Sequence, residues 1–373
     1  MKPSLISIVL VGSLAAAACS DDGPGDAAGA DAPALEDGEA FPHERCEANR
    51  AAGTISYFTG FSFAAAASMT EVFVADANGY YDDLCLDVEI TPSFSTDNPP
   101  LVAAGEVQFS TAGSFTELAS YNARNDTDLV ALTVDGHVAI DVLMVKPDRA
   151  ESLDDLAGQT IGVKGLLPPA IAAMLAQEAD LVEGADFTTA QVEGFDPNAH
   201  WAIDELTALP GWRSNEPGAL ERSGVDFDLY DPSDVGIPGS FGLIYTSRQF
   251  IDTHPTAAED FMRATLRGLH DAIDDPEAAA QVAIDLAEAN GNPGFQTLEG
   301  ELYRWQVDAR TIVDSTPDGS DIGVPVEAEL TSEIESYEAV GFFGDGETPE
   351  VEGSFDPDLA ADLYDAGEII WPG

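Results

Sequence analysis

The sequence predicts an α/β protein of two lobes, and three observations support this prediction. Strand-like and helix-like segments alternate between residues 53 and 113, which is typical of a mostly parallel sheet with helices on both faces. The same alternation starts again after residue 138. A chain of 373 residues is also long enough to form two such units.

The first unit begins with GTISYFTG (53–60), whose aromatic and β-branched residues predict a strand. Residues 61–79 predict a helix that ends at Asn78-Gly79, because glycine adopts the left-handed backbone position that ends helices. The elements predicted next are a strand at 86–90, a helix at 99–106 opened by proline, and a strand at 107–113.

The second unit continues this pattern. The predicted strands lie at 128–136, 138–147, 160–163 and 240–248. A helix should begin near Pro168-Pro169, since the N–H that proline lacks would be unpaired in a first helical turn. Residues 255–291 predict two helices, separated at Asp275-Pro276. The remainder of the chain predicts helices and loops.

The N-terminal segment has the features of an export signal. Residues 1–18 combine one lysine with a short apolar stretch and small residues before Cys19, which is the pattern of a cleaved signal peptide. Cys19 resembles a bacterial lipidation site, and the alternative is an ordinary signal peptide cut elsewhere. Residues 19–45 are rich in Gly, Ala, Asp and Pro and predict an acidic, flexible tether.

Cys46 and Cys85 are the cysteines left after Cys19. In an oxidising compartment we expect them to form a disulfide. Metal binding is the less favoured alternative, because the histidines are scattered and no HxxxH or CxxC spacing occurs.

The chain is strongly acidic, with 69 Asp and Glu against 14 Lys and Arg and a net charge of −55. This composition argues against nucleic-acid binding, which needs basic patches. The acids are spread along the chain, which indicates a solvated surface adapted to high salt.

Four motifs occur in the order that is found in a known family: ANGYYDDLCLDVEI (77–90), LVAAGEVQFSTAG (101–113), SLDDLAGQTIGVKG (152–165) and GWRSNEPGALERSG (211–224). Together they resemble the type II periplasmic substrate-binding proteins of ABC importers, in the nitrate, taurine and thiamine-precursor (pyrimidine-binding) branch. The likeness covers roughly residues 53–340. Cys85 stands where the family usually has glycine, which fits a disulfide gained at that position.

The resemblance implies two α/β lobes joined by two crossover strands, expected at 138–146 and 240–247, with a ligand cleft between the lobes. We expect the first lobe to contain residues 46–138 and 246–373, and the second lobe to contain residues 139–245. Pockets commonly form beyond the carboxyl ends of strands and at domain interfaces. Hinge motion at the crossovers would bury the ligand.

The first lobe should contribute rings and hydroxyl groups to this cleft. The rings that could stack on a flat ligand are Tyr57, Phe58, Phe61 and Phe63; the alternative is ordinary core packing. The polar group after the third strand consists of Ser110, Thr111 and Gly113. Its alternative role is turn and cap chemistry.

The second lobe should contribute Gly165 and the segment Trp212, Asn215 and Glu216. Gly165 lies at a helix N-terminus, which favours negative groups, but the leucines after it argue against a tight grip on an oxyanion. In related pyrimidine-binding members an acidic residue faces the cleft, which favours Glu216 as an acceptor of amino groups. The alternative for Glu216 is a solvated acid at the start of a helix.

The resemblance therefore implies an exported, lipid-anchored, monomeric protein that delivers a small ligand to an ABC transporter permease. Aromatic rings with Glu216 favour an aromatic amine such as a thiamine-pyrimidine precursor. The alternatives are a nitrate or alkanesulfonate ligand, a ligand-sensing role, and an enzyme like the fungal pyrimidine synthase. The enzyme is disfavoured because the sequence has no cysteine cluster and no GxSxG, HExxH or phosphate-loop motif. We expect no cofactor.

Overall fold

Two five-stranded sheets with helices packed against them form the body of the protein. The computed structural model describes residues 33–194, 196–291, 296–344, 346 and 348–373. The strands, in chain order, are β1 (Thr54–Phe58), β2 (Asp87–Thr91), β3 (Phe109–Ala112), β4 (Leu129–Ala131), β5 (Asp141–Val145), β6 (Thr160–Val163), β7 (Thr188–Gln191), β8 (Ala208–Trp212), β9 (Asp228–Tyr230), β10 (Leu243–Ser247), β11 (Tyr364–Asp365) and β12 (Glu368–Ile369).

Helices connect most of these strands. The α-helices are α1 (His43–Ala51), α2 (Thr70–Ala77), α3 (Tyr80–Asp83), α4 (Pro99–Ala103), α5 (Phe115–Asn125), α6 (Pro169–Ala179), α7 (Pro197–Trp201), α8 (Glu216–Arg222), α9 (Arg248–Thr253), α10 (Pro255–Asp274), α11 (Pro276–Ala289), α12 (Leu298–Ser315) and α13 (Glu327–Ala339). Short 3₁₀ helices occur at Ser95–Asp97, Leu153–Leu156, Pro232–Val235 and Ala361–Leu363.

The two sheets have the same kind of mixed topology. The first has the order β2-β1-β3-β10-β4, with β1 parallel to β2 and β3, and β10 antiparallel to β3 and β4. The second has the order β7-β6-β8-β5-β9, with β6 parallel to its neighbours and β5 antiparallel to β8 and β9. The predicted α/β fold with two sheets is confirmed. We call each sheet with the helices packed on it a lobe.

Aromatic rings and helices α2, α10 and α12 form the core behind the first sheet. The ring of Phe261 stacks on Phe109 with centroids 4.0 Å apart and on Tyr81 with centroids 5.1 Å apart. Trp305 of α12 is fully buried, and its indole N–H donates to the carbonyl of Ala272 at 2.6 Å. Helix α12, near the end of the chain, is therefore fixed to the first lobe.

The helix predicted at 61–79 begins later, at Thr70. Ser62 and Ser68 have positive φ angles of 49° and 64°, which a right-handed helix cannot contain. The alanines between them are buried in an irregular segment. Their composition predicts a helix, but tertiary contacts override that preference.

Carboxyl groups from distant parts of the chain accept hydrogen bonds from the backbone N–H groups of this irregular segment. The donor–acceptor pairs are Ala65 N–H to Glu301 (2.7 Å), Ala67 N–H to Asp308 (3.1 Å) and Ser68 N–H to Asp135 (2.6 Å). These bonds replace the hydrogen bonds of a helix, so the segment is held in place by carboxyl acceptors.

The structure places the connections between the sheets a few residues away from the predicted crossovers at 138–146 and 240–247. The chain leaves the first sheet after β4 and enters the second at β5, through residues 132–140, and it returns through 231–242. The apolar run that suggested a crossover is β5, which lies inside the second sheet between β8 and β9. Strands β7, β8 and β9 are not among the predicted strands.

The two connecting segments pair with each other. Asp135 N–H donates to Gly242 at 2.9 Å, and Gly136 and Phe241 exchange backbone hydrogen bonds of 3.0 and 2.9 Å. A Cβ atom on Gly136 would lie 1.8 Å from the ring of Phe241, so only glycine fits at this contact. The sheets are therefore joined by a close-packed ribbon of two antiparallel segments.

A buried pair of carboxyl groups lies beside this ribbon. Glu71 of α2 and Asp135 are each 1% exposed, and neither oxygen of Glu71 has a hydrogen-bond donor within the described residues. Burial raises the pKa of Glu71 well above its usual value, and the charge of Asp135 raises it further. Burial also raises the pKa of Asp135. Burial therefore favours the protonated form of both carboxyls compared with exposed ones.

The signal peptide predicted at residues 1–18 and the lipidation site predicted at Cys19 lie outside the described residues. The tether predicted at 19–45 is described from residue 33, and this part is packed against the first lobe. Its hydrogen bonds to the C-terminus are Gly38 N–H to Trp371 (2.8 Å) and Gly373 N–H to Glu39 (2.8 Å). Residues 33–45 are therefore held against the folded protein, and the tether prediction does not describe them.

The predicted disulfide between Cys46 and Cys85 is confirmed, with an S–S distance of 2.08 Å. Cys85 has a φ of 62°, a left-handed conformation that glycine adopts most easily. Next to the disulfide, Arg45 is 2% exposed and donates to both oxygens of the buried Asp260, at 2.7 and 2.8 Å. These contacts fasten α1 to helix α10.

Replacing Cys46 and Cys85 together by serine should lower the free energy of unfolding of the first lobe by about 3–4 kcal/mol. The disulfide closes a loop across a sequence separation of 39, and its loss restores chain entropy to the unfolded state. Urea unfolding, with and without reductant, measures this loss. Reductant should shift the wild-type midpoint and leave the double variant unchanged; equal midpoints for both proteins in oxidising buffer would contradict the prediction.

Replacing Glu71 by glutamine should make stability less dependent on pH. Raised carboxyl pKa values mean that the native state keeps protons that the unfolded state releases, so stability is greatest in acid and falls as pH rises from about 4 through neutrality. Each such proton contributes about 1.4 kcal/mol per pH unit. Urea midpoints across this pH range measure the slope. The exposed Glu89→Gln change should leave the slope of stability against pH as it is. If Glu71→Gln kept the slope of the wild type, the raised pKa of Glu71 would be disproved.

Candidate functional site

A cavity of about 750 Å³ lies between the two lobes. The first lobe lines it with the segment around Phe61 and Met69 and with the N-terminal part of α12. The second lobe lines it with residues after β6, with the start of β5, and with the segment 210–222. Both lobes therefore supply one wall each, as a ligand cleft requires.

The turn from β8 into α8 places the best-supported group of predicted residues in this cavity. Trp212, Asn215 and Glu216 all line it. Pro217 in the first turn of α8 suits a helix start. A Cβ on Gly211 would lie 2.7 Å from the Cβ of Glu216, so glycine at this position lets the acidic side chain pack against the strand.

The carboxylate of Glu216 is held at both oxygens. Lys164 donates to Oε1 at 3.0 Å, and the backbone N–H of Trp212 donates to Oε2 at 2.8 Å. Glu216 is 8% exposed, so it is not the solvated acid that the sequence left open as an alternative. Each carboxylate oxygen has a second lone pair, and these can accept hydrogen bonds from a ligand.

Asp141 is a second acid in the cavity wall. It pairs with Trp212 in the ladder between β5 and β8, which places the two residues side by side. Burial raises the pKa of Asp141 to about 7, with further contributions from the charges of Glu216 and Glu117. Near neutral pH this carboxyl can therefore be a hydrogen-bond donor or an acceptor.

Arg304 of α12 reaches across from the first lobe. Its guanidinium donates to Glu301 at 2.5 Å and to the side-chain oxygen of Asn215 at 2.8 Å. The second contact joins the two lobes, because Asn215 precedes α8 in the second lobe. This hydrogen bond links the two walls of the cavity.

The four predicted rings have different surroundings. Phe61 lines the cavity and contacts the ring of Phe94 edge-on, with centroids 5.8 Å apart. Tyr57 and Phe63 are 0% and 3% exposed and belong to the core of the first lobe. Phe58 packs against a neighbouring core cluster. The structure brings only Phe61 of the four to the cavity, and the other rings have the packing role that was the alternative.

The predicted polar group after β3 is also divided. Ser110 is fully buried; it donates to the carbonyl of Phe58 and accepts from Asn98, both at 2.9 Å. Thr111 and Gly113 line a smaller cavity of about 50 Å³, which also touches Phe61 and Trp212. The two residues therefore lie next to the main cavity, while Ser110 fixes the sheet.

Gly165 does not line the main cavity, although its neighbours Lys164 and Leu166 do. Its N–H donates to the side chain of Gln191 at 2.9 Å. Leu166 is 76% exposed at the cavity mouth. The leucine thus presents an apolar surface where an oxyanion site would need donors.

Sequence reasoning did not single out Asp141, Lys164, Arg222 or Arg304 as site residues, yet all four line the cavity. Asp141 had a signal, since an acid opens an otherwise apolar strand, Asp141–Val145. No sequence signal pointed to Arg304, because it lies in a C-terminal helix that is far from the motifs in sequence.

The structure also limits two other kinds of site. Among the residues that it describes, no group of three or more His, Cys, Asp or Glu side chains could hold a metal ion. No described helix is long and apolar enough to cross a membrane.

Known proteins similar to this chain include two binding proteins. It is 28% identical over 261 residues to the riboflavin-binding protein RibY of Chloroflexus aurantiacus, which covers 68% of this chain and 72% of that protein. It is 26% identical over 240 residues to the formylaminopyrimidine-binding protein of Halalkalibacterium halodurans, which covers 62% of this chain and 71% of the relative.

Solved structures show the same fold. The periplasmic aliphatic sulphonate binding protein SsuA from Escherichia coli is similar with a TM-score of 0.59 at 13% identity, and the match covers 82% of this chain and 92% of SsuA. At this identity the similarity concerns the fold alone. Residues 66–279, more than half of the chain, match the family described as NMT1/THI5 like. The chain therefore belongs to the NMT1/THI5-like family, in keeping with the resemblance that its motifs indicate.

Proposed function

We propose that the protein is an extracytoplasmic solute-binding protein that holds a small organic ligand between its lobes and delivers it to an ABC transporter permease. The cavity of about 750 Å³ between the two lobes carries this proposal. Its size is in the range of small-molecule sites, about 300–1,000 Å³. Membership of the family, and relatives named as binding proteins, support the same function.

The ligand proposed is an aromatic heterocycle with N–H groups, such as a pyrimidine of the thiamine-precursor type or a larger ring system. Trp212 is 42% exposed in the cavity wall and offers a face on which a ring can stack. Glu216 and Asp141 offer acceptors for ring or amino N–H groups. The two binding-protein relatives are named for riboflavin and for formylaminopyrimidine, which are both nitrogen heterocycles.

The alternative ligands, nitrate and alkanesulfonates, have less support in this cavity. Lys164 and Arg304 line the cavity, but both already pair with carboxylates, so neither is free to bind such an anion. A ligand-sensing role would use the same cleft. An enzyme like the pyrimidine synthase is less favoured, because the relatives found by sequence are named as binding proteins.

We further propose that the protein is exported, that Cys19 carries a lipid anchor, and that the protein acts as a monomer. The signal-like residues 1–18 and the small residues before Cys19 support export and lipidation. Mass spectrometry of the protein from a bacterial membrane fraction tests the anchor: a diacylglyceryl group on Cys19 is expected, and a soluble product cut elsewhere would contradict it.

Calorimetric titration with riboflavin, an aminopyrimidine and taurine tests the ligand class. A heterocycle should bind, and Glu216→Gln should weaken its binding about tenfold to a hundredfold, because a charge-assisted hydrogen bond is replaced by a weaker one. The control Glu221→Gln removes an acid from the same helix outside the cavity wall and should bind as the wild type does. Tight taurine binding with no heat from either heterocycle would overturn the proposal.

The affinity for the heterocycle should depend on pH through Asp141. Below about pH 7 this carboxyl keeps its proton and can donate to a ring nitrogen while accepting from an adjacent amino group. Affinity should therefore fall as pH rises through 7, and Asp141→Asn should remove most of this dependence, since an amide keeps one donor and one acceptor at every pH. Titrations at several pH values measure the effect, and an unchanged pH profile in Asp141→Asn would exclude Asp141 as its source.

A further inference from the structure

We propose that the ligand carries a phosphate ester, and that Arg222 binds it at the mouth of the cleft. This inference rests on the proposed function, because it assumes that the cavity between the lobes is the ligand site. It adds a second recognition point to that site, at the opposite end of helix α8 from Glu216.

Three cations line the cavity, and two of them are already paired. Lys164 binds Glu216 at 3.0 Å and Arg304 binds Glu301 at 2.5 Å. The side chain of Arg222 makes no ion pair or hydrogen bond within the part of the chain that the structure describes, and its guanidinium contacts the ring of Tyr303. Of the three, Arg222 is therefore the cation that lines the cavity and remains available to a ligand.

Helix α8 sets the distance between the two recognition points. Asn215, Glu216, Ala219 and Arg222 all line the cavity, so one face of the helix runs along its wall. Glu216 and Arg222 are six positions apart, which corresponds to about 9 Å along a helix axis. A ligand that reaches both must join its ring to its charged group through a chain of several atoms.

Tyr303 of α12 holds the arginine in position. The guanidinium of Arg222 lies over the Tyr303 ring, 5.3 Å from its centroid. Gly218 lets this ring approach α8, because a Cβ there would lie 2.2 Å from it. Stacking uses the face of the guanidinium and leaves the N–H groups at its edge free. Those planar donors suit phosphate, whose oxygens accept two parallel hydrogen bonds.

A purely structural role for Arg222 is the competing explanation. The residue belongs to the second lobe and Tyr303 to the first, so their contact could serve only to hold the lobes together. Such a role would affect every ligand equally. A phosphate-binding role affects only the phosphorylated one, and a matched pair of ligands separates the two explanations.

Calorimetry with riboflavin and riboflavin 5′-phosphate provides this pair. The intact protein should bind the phosphate about tenfold to a hundredfold more tightly than riboflavin, as expected for hydrogen bonds between charged groups. Arg222→Gln should abolish this preference and leave riboflavin binding nearly unchanged, and Arg222→Lys should keep part of it. Arg124→Gln, which removes an exposed cation away from the cavity wall, should keep all of it.

Two results would overturn the inference. The first is that the wild type binds riboflavin 5′-phosphate no more tightly than riboflavin. The second is that Arg222→Gln lowers the affinity for both flavins equally. If riboflavin or the aminopyrimidine binds and the phosphate group does not increase the affinity, only the proposed phosphate binding by Arg222 is rejected. If no heterocycle binds at all, the proposed function falls with it.

Discussion

The two segments that connect the sheets are hydrogen-bonded to each other. This contact sets the position of the two walls of the cleft relative to one another. Residues 135–136 and 241–242 run antiparallel, side by side, and they belong to the two segments that carry the chain between the sheets. Gly242 has a φ of 67°, and a Cβ there would lie 2.6 Å from Ala67. Because the ribbon packs so closely against the irregular segment before α2, a change in the angle between the lobes must also move one wall of the cavity.

Acidic residues cover the surface of this protein, and some of them also hold its backbone in place through hydrogen bonds. Glu301, Asp308 and Asp135 accept N–H groups from the segment that precedes α2. Asp308 is 2% exposed, and burial raises its pKa to about 6. The same segment forms the first-lobe wall of the cavity. A chain rich in carboxylates can thus shape a binding surface from backbone that would otherwise form a helix.

Local patterns in the sequence were sufficient for the fold class and for part of the site. Alternating strands and helices, proline at helix starts and glycine at their ends are short-range signals, and the segment Trp212 to Glu216 follows a motif. The rings of Tyr57 and Phe63 could not be assigned in this way, because an aromatic residue after a strand has the same pattern in a core and in a cleft. Arg304 reaches the cavity only through long-range packing of α12. The strand β7 is partly exposed at a sheet edge and lacks the apolar residues that mark a buried strand.

The fastening of α1 has a mechanical consequence. The disulfide ties α1 to Cys85, and the pair of Arg45 with Asp260 ties it to helix α10, so both fasten α1 to the first lobe. A force applied to the chain before α1 would therefore be carried by that lobe and would not load the ribbon between the sheets. The angle between the lobes could then change without straining the fastenings of α1.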